Sequence, residues 1–459
     1  MPTDLAGWPG GGRSPSLPAM PLHLTQPERE TLAGTHGEAA AMAMRIVVSA
    51  GELLGADSLT EIASAHIDGC LHHGDGGVEF AEALVTGGGQ VTVPTTLNVG
   101  ALDLLHPGVV RADPHKTDMA RRQMEAYVAM GASPTFTCAP YQVGHEPGVG
   151  EQVAWGESNA IAFVNSVLGA RTERYGDFLD ACCAITARAP LYGLHLERNR
   201  RATVVVDATG VPQSLKSRDV FYPVLGTWLG LEVGQEIAAI KGLPANTTRD
   251  QLKALGAAAA SSGAVALFHV VGVTPEAPTL DAALSLGSTD SGAGRPGPPG
   301  WGSQPAFPMP RSILLDSGRL RKALRRLSTA DDAGRIDAVA VGSPHFSLQE
   351  FERLHQLVKG RQLSIPFYVC TARDTLAEFD QRGHGDELRE AGVEIVVDTC
   401  VVVTPILPAK NGVLMTNSGK FAHYGPSNTG YDVVYGSLED CVESAVSGDV
   451  VRDDAVWAW

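Results

Sequence analysis

The sequence predicts an α/β fold built on parallel sheets, and three observations carry that prediction. Residues 335–403 alternate between apolar runs of strand length and amphipathic helices in the order βαβαβ, with short connections. Further apolar runs of strand length occur at 202–206 and 264–271. Hydrophobic residues make up 44% of the 459 residues and charged residues 19%, which is typical of a globular chain long enough for two or three domains.

The first part of the chain shows mainly helical patterns. Helices are predicted at 26–33, 38–51 and 78–84, and a helix N-terminus at 58–65. The run Gln90-Val-Thr-Val-Pro94 then reads as a short strand. Such a strand would present the uncharged donors that follow it, which are Thr95, Thr96 and Asn98.

The βαβαβ unit is the most regular part of the sequence. Its strands are predicted at 337–341, 364–369 and 393–397, and its helices at 347–358 and 375–391. Chemically rich segments lie at or just beyond the C-terminal ends of these strands, namely Ser343-Pro344-His345, Cys370-Thr371 and Asp398-Thr399-Cys400. Open α/β sheets bind ligands at that edge.

Composition divides the chain. Residues 1–20 are rich in Gly, Pro and Ser and are expected to be a disordered leader. Residues 286–312 are dominated by Pro and Gly and are expected to form a flexible insertion or linker. This leaves one α/β region at 21–285 and a second at 313–459.

The net charge, the hydropathy pattern and the number of cysteines argue against nucleic-acid-binding, membrane-spanning and secreted proteins. The net charge is −16 with no offsetting basic cluster, which argues against a nucleic-acid partner. No run reaches the eighteen or so apolar residues of a membrane span, and the N-terminus does not resemble a signal peptide. Seven scattered cysteines, an odd number, favour a reducing compartment. A cytoplasmic location is expected.

Three of the cysteines stand in unusual surroundings. Cys138 lies in a turn among hydroxyl and amide side chains, and Cys370 and Cys400 close strand-like runs far downstream. Thiolates are soft ligands that suit iron, and three of them from distant segments leave a coordination position open. An iron site or iron–sulfur cluster is therefore predicted, with buried cysteines that only pack as the alternative.

Polar residues around the Cys138 turn suit an acidic small molecule. Arg171 is a candidate for holding a substrate carboxylate, and a structural ion pair with Glu157 is the alternative. Lys420 has small neighbours on one side and aromatic ones on the other, so partial desolvation could lower its pKa toward that of a base or let it bind an anion, and an ordinary surface lysine is the alternative. His345 is either a substrate contact or a cap. The remaining candidates for substrate binding are Glu157, Ser158, Asn159 and Asn165.

Nine short blocks, in order, resemble the aconitase X family. They are residues 66–69, 93–98, 135–141, 156–159, 165–172, 269–277, 342–347, 398–400 and 417–424. The resemblance covers roughly residues 22 to 450. It implies an aconitase-like fold of several domains, with parallel sheets flanked by helices and the site in a cleft between domains.

The resemblance also implies chemistry. It implies a hydro-lyase that removes water from a β-hydroxy carboxylate with an iron centre, which could be a 2Fe–2S cluster, a 4Fe–4S cluster or mononuclear iron. Cys138 and Cys400 match family motifs, whereas Ser343 stands where several members have cysteine, so Cys370 is the candidate for the third ligand. His66 and Asp68 match a segment that faces the site.

A small swivelling domain, separate or fused, carries the serine base in this family. No convincing match to its glycine-rich serine loop occurs here, so the chain is expected to be the large, iron-binding subunit that works with a small partner. Lys420, His66 and Ser418 are the catalytic candidates within the chain.

The family acts on two substrates. Of these, cis-3-hydroxy-L-proline is favoured over mevalonate 5-phosphate, because a phosphate needs clustered lysine and arginine. Arg171 and Lys420 are the only arginine and lysine in the nine blocks, with Arg373, beside Cys370, as a possible third. A non-catalytic iron-binding or regulatory protein is the alternative from another class. A redox protein, in which the iron transfers electrons, is the third alternative. The sequence has no dinucleotide-binding fingerprint after a predicted strand, which argues against that role.

Overall fold

The structure is a computed structural model that describes residues 22–287, 309–330, 334–408 and 411–459. The predicted leader at 1–20 and most of the predicted insertion at 286–312 lie outside these residues. The division of the chain into two α/β regions stays a prediction. Among the described residues, no helix has both the length and the apolar character needed to cross a membrane.

The first part of the chain surrounds a small sheet of three parallel strands in the order β3-β2-β4. Two further strands, β1 and β5, form an antiparallel pair. The strands are β1 Leu59–Glu61, β2 Ala65–Ile67, β3 Thr95–Leu97, β4 Ala154–Trp155 and β5 Arg188–Pro190. The helices are α1 Gln26–Leu32, α2 Glu38–Leu54, α3 Asp75–Thr86, α4 Pro114–Ala129, α5 Ser158–Phe163 and α6 Leu179–Thr186.

The segment 58–65 is the main error of prediction in this part. It was expected to begin a helix, but it holds strand β1, and β2 follows from Ala65. Pairing decides the outcome, because β2 lies between β3 and β4 and is fully buried. The predicted strand at 90–94 is also displaced, since the ladder begins at Thr95, after Pro94.

A middle sheet of four parallel strands follows, in the order β8-β7-β6-β9. Its strands are β6 Val204–Asp207, β7 Ala238–Lys241, β8 Phe268–Val270 and β9 Arg311–Leu314. Its helices are α7 Gln213–Lys216, α8 Phe221–Val233, α9 Arg249–Gly263, α10 Leu280–Ser285 and α11 Ser317–Arg326. The strands predicted at 202–206 and 264–271 correspond to β6 and β8.

Helices α8 and α9 approach each other closely at Gly230. A methyl group on Gly230 would lie 2.6 Å from the carbonyl oxygen of Ala259, which is backbone and cannot move aside. Replacing Gly230 with alanine is expected to lower the free energy of unfolding by about 2 kcal/mol. Gly76, in α3 with open space around it, is the control: its replacement by alanine is expected to leave stability unchanged or raise it by about 0.5 kcal/mol. Thermal unfolding of both variants tests this, and equal midpoints would contradict it.

The last part of the chain is a large sheet of five parallel strands in the order β12-β11-β10-β13-β14. Its strands are β10 Ala338–Phe346, β11 Phe367–Thr371, β12 Val393–Val397, β13 Val413–Thr416 and β14 Asp432–Tyr435. Its helices are α12 Leu348–Val358, α13 Arg373–Gln381, α14 Gly385–Glu390, α15 Gly419–Thr429 and α16 Leu438–Ser447. The βαβαβ prediction and the parallel sheet are confirmed.

One helix of that unit was predicted as continuous but is divided. The pattern at 375–391 contains two helices, α13 and α14, with Gly383 between them. Gly383 has a φ of +81°, a conformation that ends a helix and that glycine adopts without strain. The division brings His384 and Glu387 to face α12.

The large sheet meets the small sheet edge to edge. The amide of Gly100, beyond β3, donates to the carbonyl of Asp398, beyond β12, at 2.8 Å. The amide of Val397 donates to the Asp103 carboxylate at 3.0 Å. Both contacts join segments that follow the carboxyl ends of parallel strands, so the two ligand-binding edges face each other.

Candidate functional site

The candidate site lies where these two edges meet. On the small sheet, β2, β3 and β4 are followed by Asp68, Asn98 and Glu157 respectively. The side-chain amide of Asn98 donates to the Asp68 carboxyl group. Glu157 has a φ of +66° and caps α5 by accepting from the Ala160 amide at 2.8 Å.

The large sheet contributes its residues from the opposite side. Ser343 and His345 lie in β10, Cys370 lies in β11, and Cys400 follows β12. Ser418 and Lys420 follow β13, where Ser418 caps α15 and its hydroxyl donates to the Ser343 carbonyl. The Lys420 ammonium forms an ion pair with Glu157, which links the two sheets.

The three predicted cysteine ligands come together. Cys370 and Cys400 share a hydrogen bond. Burial is the main cause that raises the pKa of both Cys370 and Cys138, and the charge of Cys138 adds to the effect on Cys370 while the charge of Cys400 adds to the effect on Cys138. The Cys370 hydrogen bond lowers the pKa of Cys400, against the effect of burial, and contacts with the Val402 amide and Ser343 act in the same direction. A lower pKa favours the thiolate, which is the form that binds metal.

The donor set suits iron. The amide of His345 donates to Cys138 Sγ at 3.3 Å and the amide of Val401 to Cys370 Sγ at 3.4 Å, and such bonds tune iron–sulfur centres. In the described part of the chain, one group of three candidate metal ligands has atoms that all lie within 4.8 Å of one another, and it consists of Glu352, His355 and His384 rather than of the three cysteines. The sulfurs are therefore more widely spaced than the ligands of a closed single-metal site.

Neighbouring side chains hold the Cys138 turn in place. Asn159 donates from its side-chain amide to the Cys138 carbonyl at 2.9 Å. His345 is fully buried, with Nδ1 3.0 Å from the Thr137 hydroxyl and Nε2 3.1 Å from the Thr399 carbonyl. Both ring nitrogens of His345 are thus occupied within the protein, which favours its positioning role over direct substrate contact.

The Lys420–Glu157 pair differs from the expectation for a base. Burial alone would lower the pKa of Lys420, but the Glu157 carboxylate and the thiols of Cys138 and Cys400 raise it above its ordinary value. Lys420 is therefore protonated at neutral pH. Its charge and its position beside Ser343 and Ser418 suit the binding of an anion better than the role of a base that removes a proton.

Asp68 is held in an acidic environment. Burial, then the charges of Glu157, Asp177 and Asp180, raise the pKa of Asp68 to about 8. Asp180 accepts from the Asp68 amide at 2.6 Å, and burial raises the pKa of Asp180 to about 7. Two carboxyl groups that carry protons near neutral pH are typical of acid–base sites.

His66 lies behind this group and is completely buried. Its Nδ1 is 2.8 Å from the Thr96 hydroxyl, which is also 2.7 Å from Nδ1 of His145. Because the hydroxyl has one hydrogen, at most one imidazole can accept from it, so at least one of the two rings donates to it. Burial, then the charge of His145, holds the pKa of His66 well below its ordinary value, so the ring is neutral.

Other candidates make their contacts elsewhere. Arg171 pairs with Glu197 at 3.2 Å rather than with Glu157, whose partner is Lys420. Asn165 is enclosed in a network with Arg200, whose guanidinium donates to it at 2.9 Å. The hydroxyls of Thr95 and Ser158 bond locally, to the Val93 carbonyl and the Glu157 carboxylate. A carboxylate-binding role for Arg171 and Asn165 stays a prediction without a supporting contact.

A cavity of about 540 Å³ opens between α9 and the large sheet. Ser343, Ser418 and Lys420 line its inner end. Four basic and four acidic side chains contribute to its wall, namely Arg218, Lys253, Arg353 and Lys420 with Asp219, Asp250, Glu350 and Glu439. The wall thus carries balanced charge.

Comparison with known proteins agrees with this geometry. Sequence profiles of the first, second and third domains of aconitase X match residues 21–198, 202–292 and 336–447. The crystal structure of Thermococcus kodakaraensis aconitase X in its holo-form superimposes with a TM-score of 0.78 at 32% identity, over 92% of this chain and 100% of that one. The chain belongs to the aconitase X family.

Its relatives within aconitase X are named dehydratases. Two cis-3-hydroxy-L-proline dehydratases are similar: that of Pseudomonas aeruginosa is 42% identical over 92% of this chain, and that of Hypocrea jecorina 40% identical over 93%, each match covering 69% of the relative. The phosphomevalonate dehydratase large subunit of Methanothermobacter thermautotrophicus is 36% identical over 90% of this chain and 96% of its own length.

Two site residues of this aconitase X chain were not anticipated. Asp180 stands in the otherwise apolar start of α6, Leu-Asp-Ala-Cys-Cys, where a lone buried carboxylate was the available signal. Thr137 lies inside the Cys138 turn, but its contact with His345 joins positions 208 apart in sequence, which no local pattern reveals. The other four cysteines, Cys70, Cys182, Cys183 and Cys441, are buried in apolar clusters.

Asp180 and Asp68 give a prediction for pH. Both carboxyl groups bind a proton more tightly in the folded aconitase X chain than in the unfolded one, so stability is expected to fall as pH rises from about 4 to about 8. Replacing Asp180 with asparagine should flatten that fall, whereas asparagine at the exposed Asp118 should not. Urea unfolding of iron-free protein at pH 5 and pH 8 measures this, and parallel profiles for all three proteins would contradict it.

Proposed function

We propose that this chain is the iron-binding large component of a dehydratase that removes water from cis-3-hydroxy-L-proline. The observation that carries the proposal is the meeting of three thiols, a buried ammonium and two proton-bearing carboxyl groups at the facing edges of two parallel sheets. That arrangement supplies a place for a Lewis acid, a cation for the substrate carboxylate and a proton donor, and it leaves the base that takes the α-proton to a partner.

Iron held by Cys138, Cys370 and Cys400 would act as a Lewis acid that makes the substrate hydroxyl a better leaving group. The protein groups do the rest. Lys420, protonated and buried beside Ser418, is placed to bind the substrate carboxylate and to stabilise charge that develops on it. Asp68 is protonated at neutral pH and can give its proton to the departing oxygen.

Charge favours an amino acid as the substrate. A cyclic amino acid brings one carboxylate and one ammonium group, which would match the ammonium of Lys420 and the carboxylate of Glu157. A phosphorylated substrate brings a further charge of about −1.5 to −2 into the same surroundings. The identities of 40–42% with the hydroxyproline enzymes, against 30–36% with the phosphomevalonate enzymes, point the same way.

Mevalonate 5-phosphate is the second candidate, and the cavity wall is the observation that favours it. Arg218, Lys253 and Arg353 lie within reach of a ligand there. Their charges are already used, however: Lys253 pairs with Asp250 at 3.0 Å and with Glu350 at 2.5 Å, and Arg353 pairs with Glu439 at 2.6 Å. A phosphate would have to break these pairs.

A small aconitase X subunit is the proposed partner. The match to the hydroxyproline enzymes covers 69% of their length, whereas the match to the five proteins named large subunits covers 96–100% of theirs. The aligned length is thus that of a large subunit. The partner would supply the base that takes the α-proton, since Lys420 is protonated.

The test is an assay of anaerobically purified, iron-loaded protein, alone and with the small subunit from the same genome, on both substrates. Turnover of cis-3-hydroxy-L-proline only when both components are present is the expected result. If mevalonate 5-phosphate were turned over and cis-3-hydroxy-L-proline were not, the proposed substrate would be wrong. Full turnover by this chain without the small subunit would contradict the two-component scheme. A change in the EPR spectrum on adding hydroxyproline would separate catalysis from a regulatory role.

A further inference from the structure

A group of histidine and glutamate side chains lies between α12 and α14, and neither the thiol site nor the proposed reaction uses it. Helix α12 carries Glu352 and His355, three residues apart. His384 directly precedes α14 and Glu387 lies three residues further on. Residues at this spacing share one helix face, so each helix presents one imidazole and one carboxylate to the same gap.

The ligand atoms are already close together. One atom each from Glu352, His355 and His384 lies within 4.8 Å of the other two, and no other such group occurs in the described part of the chain. His384 Nδ1 is 3.4 Å from a Glu352 oxygen. The two imidazole rings stack with centroids 4.2 Å apart.

One buried ring nitrogen of this group lacks a hydrogen-bond partner. His384 Nδ1 is shielded from solvent and makes no hydrogen bond. His355 is only 7% exposed, and its Nε2 lies 2.7 Å from a Glu387 oxygen. Buried polar atoms normally have partners, and metal-bound histidines are commonly backed by a carboxylate in this way.

We propose that a divalent transition-metal ion, of which Zn²⁺ is the type, binds here through Glu352, His355 and His384. Two imidazoles and a carboxylate are ligands that suit zinc, cobalt or nickel, whereas calcium and magnesium favour oxygen alone. The rings are 12° from parallel, so the His384 ring must turn to direct its nitrogen at the ion. Its side chain is 35% exposed and has room to do so.

The site is separate from the thiols. Helix α12 leaves the carboxyl end of β10 and runs back along the sheet, and α14 leads into the start of β12. His355 and His384 therefore lie toward the edge of the large sheet opposite Cys370 and Cys400. A bound ion would join α12 to α14 at the point where Gly383 divides the predicted helix, and would stabilise the large sheet rather than take part in catalysis.

The test uses iron-loaded protein freed of other metals and titrated with Zn²⁺ by calorimetry and with Co²⁺ by visible absorption. One equivalent is expected to bind, with cobalt bands that lack thiolate charge transfer and a rise in the thermal unfolding midpoint. Replacing His384 with alanine should weaken binding at least about tenfold. Replacing Glu352 with glutamine should also weaken binding of the ion. This second variant keeps the test valid if the His384→Ala protein folds poorly.

His115→Ala is the matched control, because His115 is 67% exposed and lies outside the group. It should bind the ion like the unaltered chain, and all variants should keep their iron. Absence of saturable binding would overturn the proposal, and so would binding that persists in both site variants. Cobalt spectra with thiolate bands alone would overturn it too, because they would place the ion at the cysteines.

Discussion

Replacing Cys400 with alanine is expected to remove the iron centre and to lower kcat/KM by at least about 1,000-fold. Cys400 is the thiol whose hydrogen bond from Cys370 and contacts with Ser343 and the Val402 amide favour the thiolate. Its loss leaves two thiols, and a Lewis acid contributes several kcal/mol to expelling hydroxide. Iron content and the EPR spectrum of anaerobically purified protein measure the first effect, and the dehydratase assay measures the second.

Cys441→Ala is the matched control for this experiment. Cys441 is also a completely buried cysteine, but it lies on α16 in the apolar cluster beneath the large sheet. Its replacement should cost about 1 kcal/mol of stability and leave iron content and turnover intact. If Cys400→Ala protein kept its iron, or if both variants lost it equally, the assignment of the thiols would be wrong.

Replacing Lys420 with methionine is expected to lower stability by about 3–5 kcal/mol and to abolish turnover. Glu157 is 6% exposed and would be left as a buried carboxylate without its partner. The double variant Lys420→Met, Glu157→Gln removes both charges, so it should recover most of the stability but none of the activity. That combination separates the structural role of the pair from its role in binding substrate.

Lys241→Met is the control for the lysine experiment. Lys241 pairs with Asp207 at 2.9 Å, but its side chain is 38% exposed. Exposed pairs contribute little, so this change should cost less than about 1 kcal/mol and leave turnover unaffected. Urea unfolding and the dehydratase assay on all the variants give the comparison. Recovery of turnover in the double variant would exclude Lys420 as a substrate ligand.

The regular parts of the fold were accessible from the sequence because their information is local. Strands β10, β11 and β12 and helix α12 follow from apolar periodicity, and their parallel arrangement follows from the alternation of strands and helices. Strands β13 and β14 and helices α15 and α16 were not predicted. The small sheet was not accessible in the same way. Its strand β2 has three residues, and its pairing with β3 and β4 joins segments distant in sequence. Short strands of this kind are defined by their neighbours rather than by their own composition.

The candidate site shows the same division. The thiols and Lys420 were identified because unusual residues stood in polar turns, and the structure places them together. Arg171 was proposed from its residue type, but its partner, Glu197, could only be found in three dimensions. The pKa of Lys420 was expected to fall on desolvation, yet a carboxylate supplied by another sheet reverses the direction. Net effects of this kind depend on the sum of the surrounding charges.

The thiols on the two facing edges have a consequence for biogenesis. Cys138 leaves the ribosome long before Cys400, and Lys420 follows later still. The nascent chain thus lacks a complete ligand set until synthesis of the large sheet is nearly finished. Binding of iron by the three proposed ligands would therefore follow the synthesis of Cys400.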